Sequence, residues 1–182
     1  MIEVCPGVGM HALRLAAVAA PAGQVFLYEP RSLMRRLLRE NLAANSIGNV
    51  TVMTNRLGGS ADESQDWRAE TIDDLRLAQL LMLKINDETM AREVLSGAAE
   101  TLWRLRPFLF IATGSEAALH DLALQTKDYG YRCWKMEAPL FNPNNFNLRT
   151  NDIFAASSAV ALLAIPEESE QGMLTEGCTE LS

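Results

Sequence analysis

Met1-Ile2-Glu3-Val4-Cys5-Pro6-Gly7-Val8-Gly9-Met10-His11-Ala12 reads as a short buried strand, a glycine-bearing turn and the start of a helix. About twenty residues on, Val25-Phe26-Leu27-Tyr28 forms a second apolar strand that ends in Glu29. Glycine lets a ligand approach the backbone closely, and a helix start offers free N–H groups. An acid closing the next strand can accept two hydrogen bonds from ribose hydroxyls. Together these features predict a nucleoside site at the carboxyl edge of a parallel sheet.

Outward from this opening, strand and helix signals alternate. Strands are expected at 2–5, 25–29, 50–54, 80–85, 107–112, 131–136 and 159–165. Helices are expected at 9–20, 31–45, 71–75, 88–104 and 115–129, with a polar, glycine-bearing loop at 57–68. The run 80–85 reads as continuously apolar, as in a strand buried on both faces. No helix separates the last two strands, so the final one is expected to pair antiparallel. The sum is an α/β, doubly wound, mostly parallel sheet with an antiparallel last strand. Residues 1–166 form the domain. Residues 167–182 are acidic and aperiodic and read as a disordered tail. Because the chain opens directly on a strand, further elements are expected to precede it in the native gene.

Composition narrows the function classes. The 182 residues carry a net charge of -7, which provides no electrostatic footprint for nucleic acid or an anionic membrane surface. The arginine-rich stretch 31–39 is the local exception and reads as the solvated face of an amphipathic helix. Three scattered cysteines without a CxxC pair point to a reduced, cytoplasmic-type protein. Two histidines without a Cys/His cluster predict no metal site. The apolar stretch 13–22 is too short and too alanine-rich to span a bilayer.

Glu3 is the odd residue, an acid inside an apolar strand. A buried carboxylate is costly unless hydrogen-bonded; here it can hold the turn's backbone N–H groups and lie near a ligand's amino group. Gly7-x-Gly9-x-x-Ala12 with Glu29 also fits the dinucleotide fingerprint of NAD enzymes. That fingerprint has no role for Glu3, whereas an acid ahead of the glycine turn is typical of S-adenosylmethionine sites.

The opening resembles the Asp-Val-Gly-Ala-Asn-Ile-Gly-Tyr-His motif of FkbM-family methyltransferases. Val25-Phe26-Leu27-Tyr28-Glu29-Pro30 is similar to that family's Val-Tyr-Ala-Phe-Glu-Pro. Asn41-Leu42-Ala43-Ala44-Asn45 and Asn49-Val50-Thr51-Val52 resemble its next segment. Glu70-Thr71-Ile72-Asp73-Asp74-Leu75 is similar to its Val-Thr-Leu-Asp-Asp-Leu. Leu83-Lys84-Ile85-Asn86-Asp87-Glu88 followed by Glu93-Val94-Leu95-Ser96-Gly97-Ala98 resembles Ile-Lys-Ile-Asp-Val-Glu-Gly and Glu-Val-Leu-Arg-Gly-Ala. Arg106-Pro107 and the closing stretch 161–166 fit as well.

This resemblance implies a Rossmann-like class I methyltransferase fold. It also implies S-adenosylmethionine as cofactor and methyl transfer to an oxygen of a small molecule or sugar. Glu29 would hold the ribose, Gly7 and Gly9 the methionine part, and Glu3 its amino group. His11 would contact its carboxylate or serve as a partly buried structural histidine, and Asn55 or Arg56 would border adenine. Asn86 and Glu88 would face the acceptor, beside the turn Asn142-Pro143-Asn144-Asn145-Phe146.

The chain also departs from the family pattern. Cys5 replaces a turn glycine, and Glu3 and Asn86 each replace an aspartate. Thr89 replaces a glycine, while Ala91 and Ala112 replace glutamates. Asn86 cannot act as a general base, because an amide does not titrate in the useful range; Asp87 and Glu88 remain as candidates, or as helix-start acids. These departures keep a second reading in play, a non-catalytic binding or scaffold domain. The third, an NAD-dependent oxidoreductase, rests on the fingerprint alone.

Overall fold

Parallel pairing fixes where every strand's carboxyl end lies. The computed structural model describes residues 1–58, 69–169 and 175–181. Its main sheet begins with β1 (Ile2–Val4), β2 (Val25–Tyr28) and β3 (Val50–Met53). A short pair, β4 (Arg56–Leu57) and β5 (Ala69–Glu70), stands apart as a two-stranded sheet. The main sheet continues with β6 (Met82–Ile85), β7 (Phe108–Thr113), β8 (Tyr131–Pro139), β9 (Ser158–Pro166) and β10 (Thr179–Glu180). Its order is β10-β8-β9-β7-β6-β1-β2-β3. Strands β3, β2, β1, β6 and β7 are mutually parallel. β9 runs antiparallel between β7 and β8, as expected of the last long strand. The loops after β1, β2, β6, β7 and β8 therefore gather at one edge.

Among the described residues, five α-helices cover both faces. α1 (Met10–Ala19) and α2 (Ser32–Ala44) lie on one, where Ala12, Leu38 and Leu42 bury against Val25 and Leu27. α3 (Glu88–Ser96), α4 (Ala99–Leu105) and α5 (Glu116–Lys127) lie on the other. There Val94, Leu95, Leu102, Leu119 and Leu122 join Ile2, Val4, Leu83 and Ile85 in the larger core. The doubly wound reading is correct.

Three expectations need correction. The helix expected over 88–104 is broken at Gly97. Asp73, in a 3₁₀ turn (Asp73–Leu75), takes the backbone N–H groups of Glu100 and Thr101 at 3.0 and 2.8 Å and starts α4 afresh. The expected loop begins with an ordered strand, since Leu57 is buried in β4; residues 59–68 lie outside the described residues. The tail is docked where it is described. Glu180 pairs with Arg132 at 2.7 Å, Leu181 packs against the larger core, and Glu168 meets Arg106 at 2.6 Å. Glu168 and Glu180 find guanidinium partners and Leu181 finds apolar surface, which composition alone did not reveal. Residues 170–174 and 182 lie outside the described residues.

Candidate functional site

At the carboxyl edge polar residues follow β2 (Glu29), β3 (Asn55) and β6 (Asn86). After β1 the chain must turn at once toward α1, and it does so through left-handed backbone at Cys5 (φ 55), Gly7 (φ 62) and Gly9 (φ 93). Gly7 has open space where a Cβ would stand, so its backbone can be closely approached. Gly9 is different: a Cβ there would lie 2.5 Å from Leu38 Cδ1, so this glycine lets α1 and α2 close together. The structure thus gives Gly9 a packing contact, while Gly7 is the glycine that faces open space. Cys5 is buried, with Sγ 3.3 Å from Met90 Sδ. Burial first, then the charges of Glu29 and Asp87, pushes its thiol up to about 12.

Glu29 follows β2 and is buried at the same turn. Its Oε2 accepts the Gly7 N–H at 2.9 Å, as an acid in this position should. Its remaining bonds were not foreseen. Arg31 donates its backbone N–H and Nε to Oε1 at 2.9 and 2.8 Å, and its Nη2 to Oε2 at 2.9 Å. Burial pushes this carboxyl up, but the Arg31 side chain and the two backbone donors outweigh it, and the net direction is down. Arg31, the first arginine of the expected solvated face 31–39, thus stays 59% exposed while its guanidinium pairs with Glu29. Arg35 also turns inward, donating to the Glu29 carbonyl at 2.7 Å.

Glu3 projects from the other face of β1 from Ile2 and Val4, and β6 places Lys84 directly beside it in register. Lys84 Nζ lies 3.0 Å from Glu3 Oε1, 3.3 Å from His11 Nδ1 and 5.4 Å from the Phe110 ring centroid. It also donates to Asn86 Oδ1. Asn86 Nδ2 donates to Glu3 Oε1 at 2.8 Å. Glu3 therefore bonds a lysine and an amide, and the turn's N–H that was to be its partner goes to Glu29. Its Oε2 is buried and makes no hydrogen bond.

Lys84 is the residue that the sequence reading missed, inside a run taken as continuously apolar. The signal was there: a buried acid in one strand calls for a cation in its neighbour. Glu3 and Asn86 also explain each other. An aspartate at 86 would face Glu3 Oε1 with a second carboxylate, whereas the amide offers a donor.

The other expected residues are more dispersed. His11 is exposed at the start of α1, with its Nδ1 at Lys84. Asn55 donates to Glu70 Oε2 at 3.0 Å, tying the end of β3 to β5. Asp87 caps α3 by accepting the N–H and hydroxyl of Thr89 at 3.0 and 2.6 Å. Glu88 Oε2 accepts the Gly114 N–H at 2.7 Å, linking α3 to the end of β7. The turn 142–146 follows β8 at the same edge, with Phe146 98% exposed.

A pocket of about 280 Å³ opens here, lined by Cys5, Pro30, Arg31, Arg56, Asp87 and Met90. A larger cavity of about 650 Å³ lies at the opposite, amino edge beside Met1, Gln24 and Leu81. Convergent polar groups, and not volume, favour the smaller one. Among the described residues no three His, Cys, Asp or Glu side chains group as a metal site, and no helix is long and apolar enough to cross a membrane.

No protein-family profile matches the chain. No curated protein matches it either. Solved structures do. The methyltransferase FkbM from Methylobacillus flagellatus KT superimposes with a TM-score of 0.65 at 16% identity, over 89% of this chain and 42% of that one. Precorrin-6y C5,15-methyltransferase from Geobacter metallireducens GS-15 gives 0.59 at 13% identity, over 91% and 78%. A SAM-dependent O-methyltransferase from Thermotoga maritima gives 0.50 at 18% identity, over 93% and 60%. The chain has the Rossmann-like class I methyltransferase fold, and it spans less than half the length of the FkbM structure.

Proposed function

We propose that the chain is an S-adenosylmethionine-dependent methyltransferase that acts on an oxygen of a small molecule or sugar in the cytoplasm. The observation that carries this reading is the 2.9 Å bond from the Gly7 N–H to Glu29, which joins the acid after β2 to the glycine turn after β1. Two features fit the cofactor. Gly7 is open to close approach, and Glu3 Oε2 is a buried acceptor without a hydrogen-bond partner. Glu29 accepts the ribose hydroxyls, and Glu3 lies toward the methionine amino group. When bound, the cofactor supplies an electrophilic sulfonium methyl, so the protein's task is chiefly alignment. The oxygen acceptor is favoured by likeness to the Thermotoga maritima structure, a SAM-dependent O-methyltransferase.

A second reading, a binding domain without turnover, draws on Asn86 and Glu88. Asn86 is engaged at both ends by Glu3 and Lys84, and Glu88 holds Gly114. Calorimetry with S-adenosylhomocysteine and with NAD tests the cofactor. Saturation at about 100 times the dissociation constant should stabilise the fold by roughly 2.7 kcal/mol. Binding of NAD alone would sink the proposal. Binding of S-adenosylhomocysteine without methyl transfer to any of a panel of hydroxylated acceptors would favour the second reading.

A further inference from the structure

A carboxylate has about four acceptor positions, and Glu29 uses all of them on this chain's own donors. The four bonds are of two kinds. The N–H groups of Gly7 and Arg31 are main chain and fixed by the turn. Nε and Nη2 of Arg31 form a two-pronged fork on a side chain that is 59% exposed, while the Glu29 side chain beneath it is 0% exposed. The vicinal hydroxyls of a ribose make the same pattern, two parallel donors facing two oxygens. Fork and diol therefore compete for the same acceptor positions. Arg31 also lines the 280 Å³ pocket with Arg56 and Asp87, so a displaced guanidinium stays in water beside a carboxylate.

Resting on the cofactor reading above, we propose that Arg31 is a latch on Glu29, occupying the positions that the ribose diol takes and swinging out when the nucleoside binds. Arg31 then sets the affinity of the site by competing with the ribose for Glu29. The two main-chain bonds hold the Glu29 carboxylate in place while the latch is open. They would also survive Arg31→Ala, which keeps its backbone N–H.

The test is calorimetric titration of S-adenosylhomocysteine into the parent chain, Arg31→Ala, Glu29→Ala and the double variant. Removing a charge-assisted competitor should tighten binding to Arg31→Ala by about tenfold. The double variant should bind as weakly as Glu29→Ala. Raising sodium chloride from about 0.05 M to about 0.5 M screens the exposed pair. It should tighten binding to the parent and leave Arg31→Ala unchanged. Equal or weaker binding to Arg31→Ala, with the parent still binding, overturns the latch alone. Absence of binding to every variant overturns the cofactor reading and the latch with it.

Discussion

Glu3 in β1 and Glu29 just after the neighbouring parallel strand β2 are both buried carboxylates, yet they are neutralised in opposite ways. Glu29 is held by two main-chain N–H groups and an arginine whose side chain is 59% exposed. Glu3 is held by a lysine that is only 7% exposed and by an amide that the same lysine grips. An exposed partner can leave at small cost, because water replaces it. A buried one cannot, because it strands a charge in a low dielectric. One acid is therefore built for exchange and the other for permanence.

The largest effect that could break this contrast is on stability. Lys84→Met should destabilise the fold by about 3–5 kcal/mol in urea unfolding, and adding Glu3→Gln should recover most of it. Arg31→Ala should cost under about 1 kcal/mol in the same assay. Comparable losses for the two would erase the distinction.

The next effect is on binding. Glu29→Ala should weaken S-adenosylhomocysteine binding by roughly 2–4 kcal/mol while the fold survives, since the residue closes a strand. Unchanged affinity would remove Glu29 from the ribose role.

Asn86→Asp sharpens the Glu3 side. It exchanges a 2.8 Å donor for a second carboxylate. A loss of about 1–3 kcal/mol is expected near neutral pH. Two carboxylates at this distance share a proton, which raises a folded-state pKa. Stability is then regained below the ordinary carboxylate range and lost as pH rises. Urea midpoints that do not improve on acidification would show that Lys84 neutralises both acids.

A smaller effect follows from Glu29's own titration, whose net direction is below 4.5. Its contribution to stability is full above the unfolded value and is lost as pH falls through the folded one. Arg31→Ala removes the main lowering contact. The dependence of unfolding free energy on pH between about 5 and 3 should flatten, by less than about 1 kcal/mol for so exposed a partner.

The smallest expected change is chemical. Burial pushes the thiols of Cys5 and Cys133 up to about 12. Iodoacetamide at mildly alkaline pH should modify half-buried Cys178 and spare both, as read by mass spectrometry of the native protein.

Local signals decided what could be read from sequence. The turn after β1, the acid after β2 and the alternation of elements are carried by glycine, proline and apolar periodicity within a few residues of each other. Lys84 escaped because its meaning depends on register: only when β6 lies beside β1 does it stand opposite Glu3. Arg31 escaped because a charge at a helix start looks solvated until the backbone turns it onto Glu29. The break at Gly97 depends on Asp73, which arrives from a separate turn to cap α4. The roles of Glu3 and Asn86 were read one at a time, whereas the structure makes them one hydrogen-bonded unit.

The docking of β10 carries a consequence for how the protein keeps to itself. β8 would otherwise be a border of the sheet, and an open border is a template for the strand of another molecule. Thr179 and Glu180 pair with Lys135 and Trp134, and the Leu181 N–H reaches the Cys133 carbonyl at 2.9 Å. β8 ends at Pro139, well before those residues in the sequence, so β8 and its cover are joined only through the fold. A polypeptide without β10 would bare β8 beside buried Trp134, and two such copies would join edge to edge. Residues 179–181 thus guard β8 against edge-to-edge pairing, and their removal would show first as lost solubility.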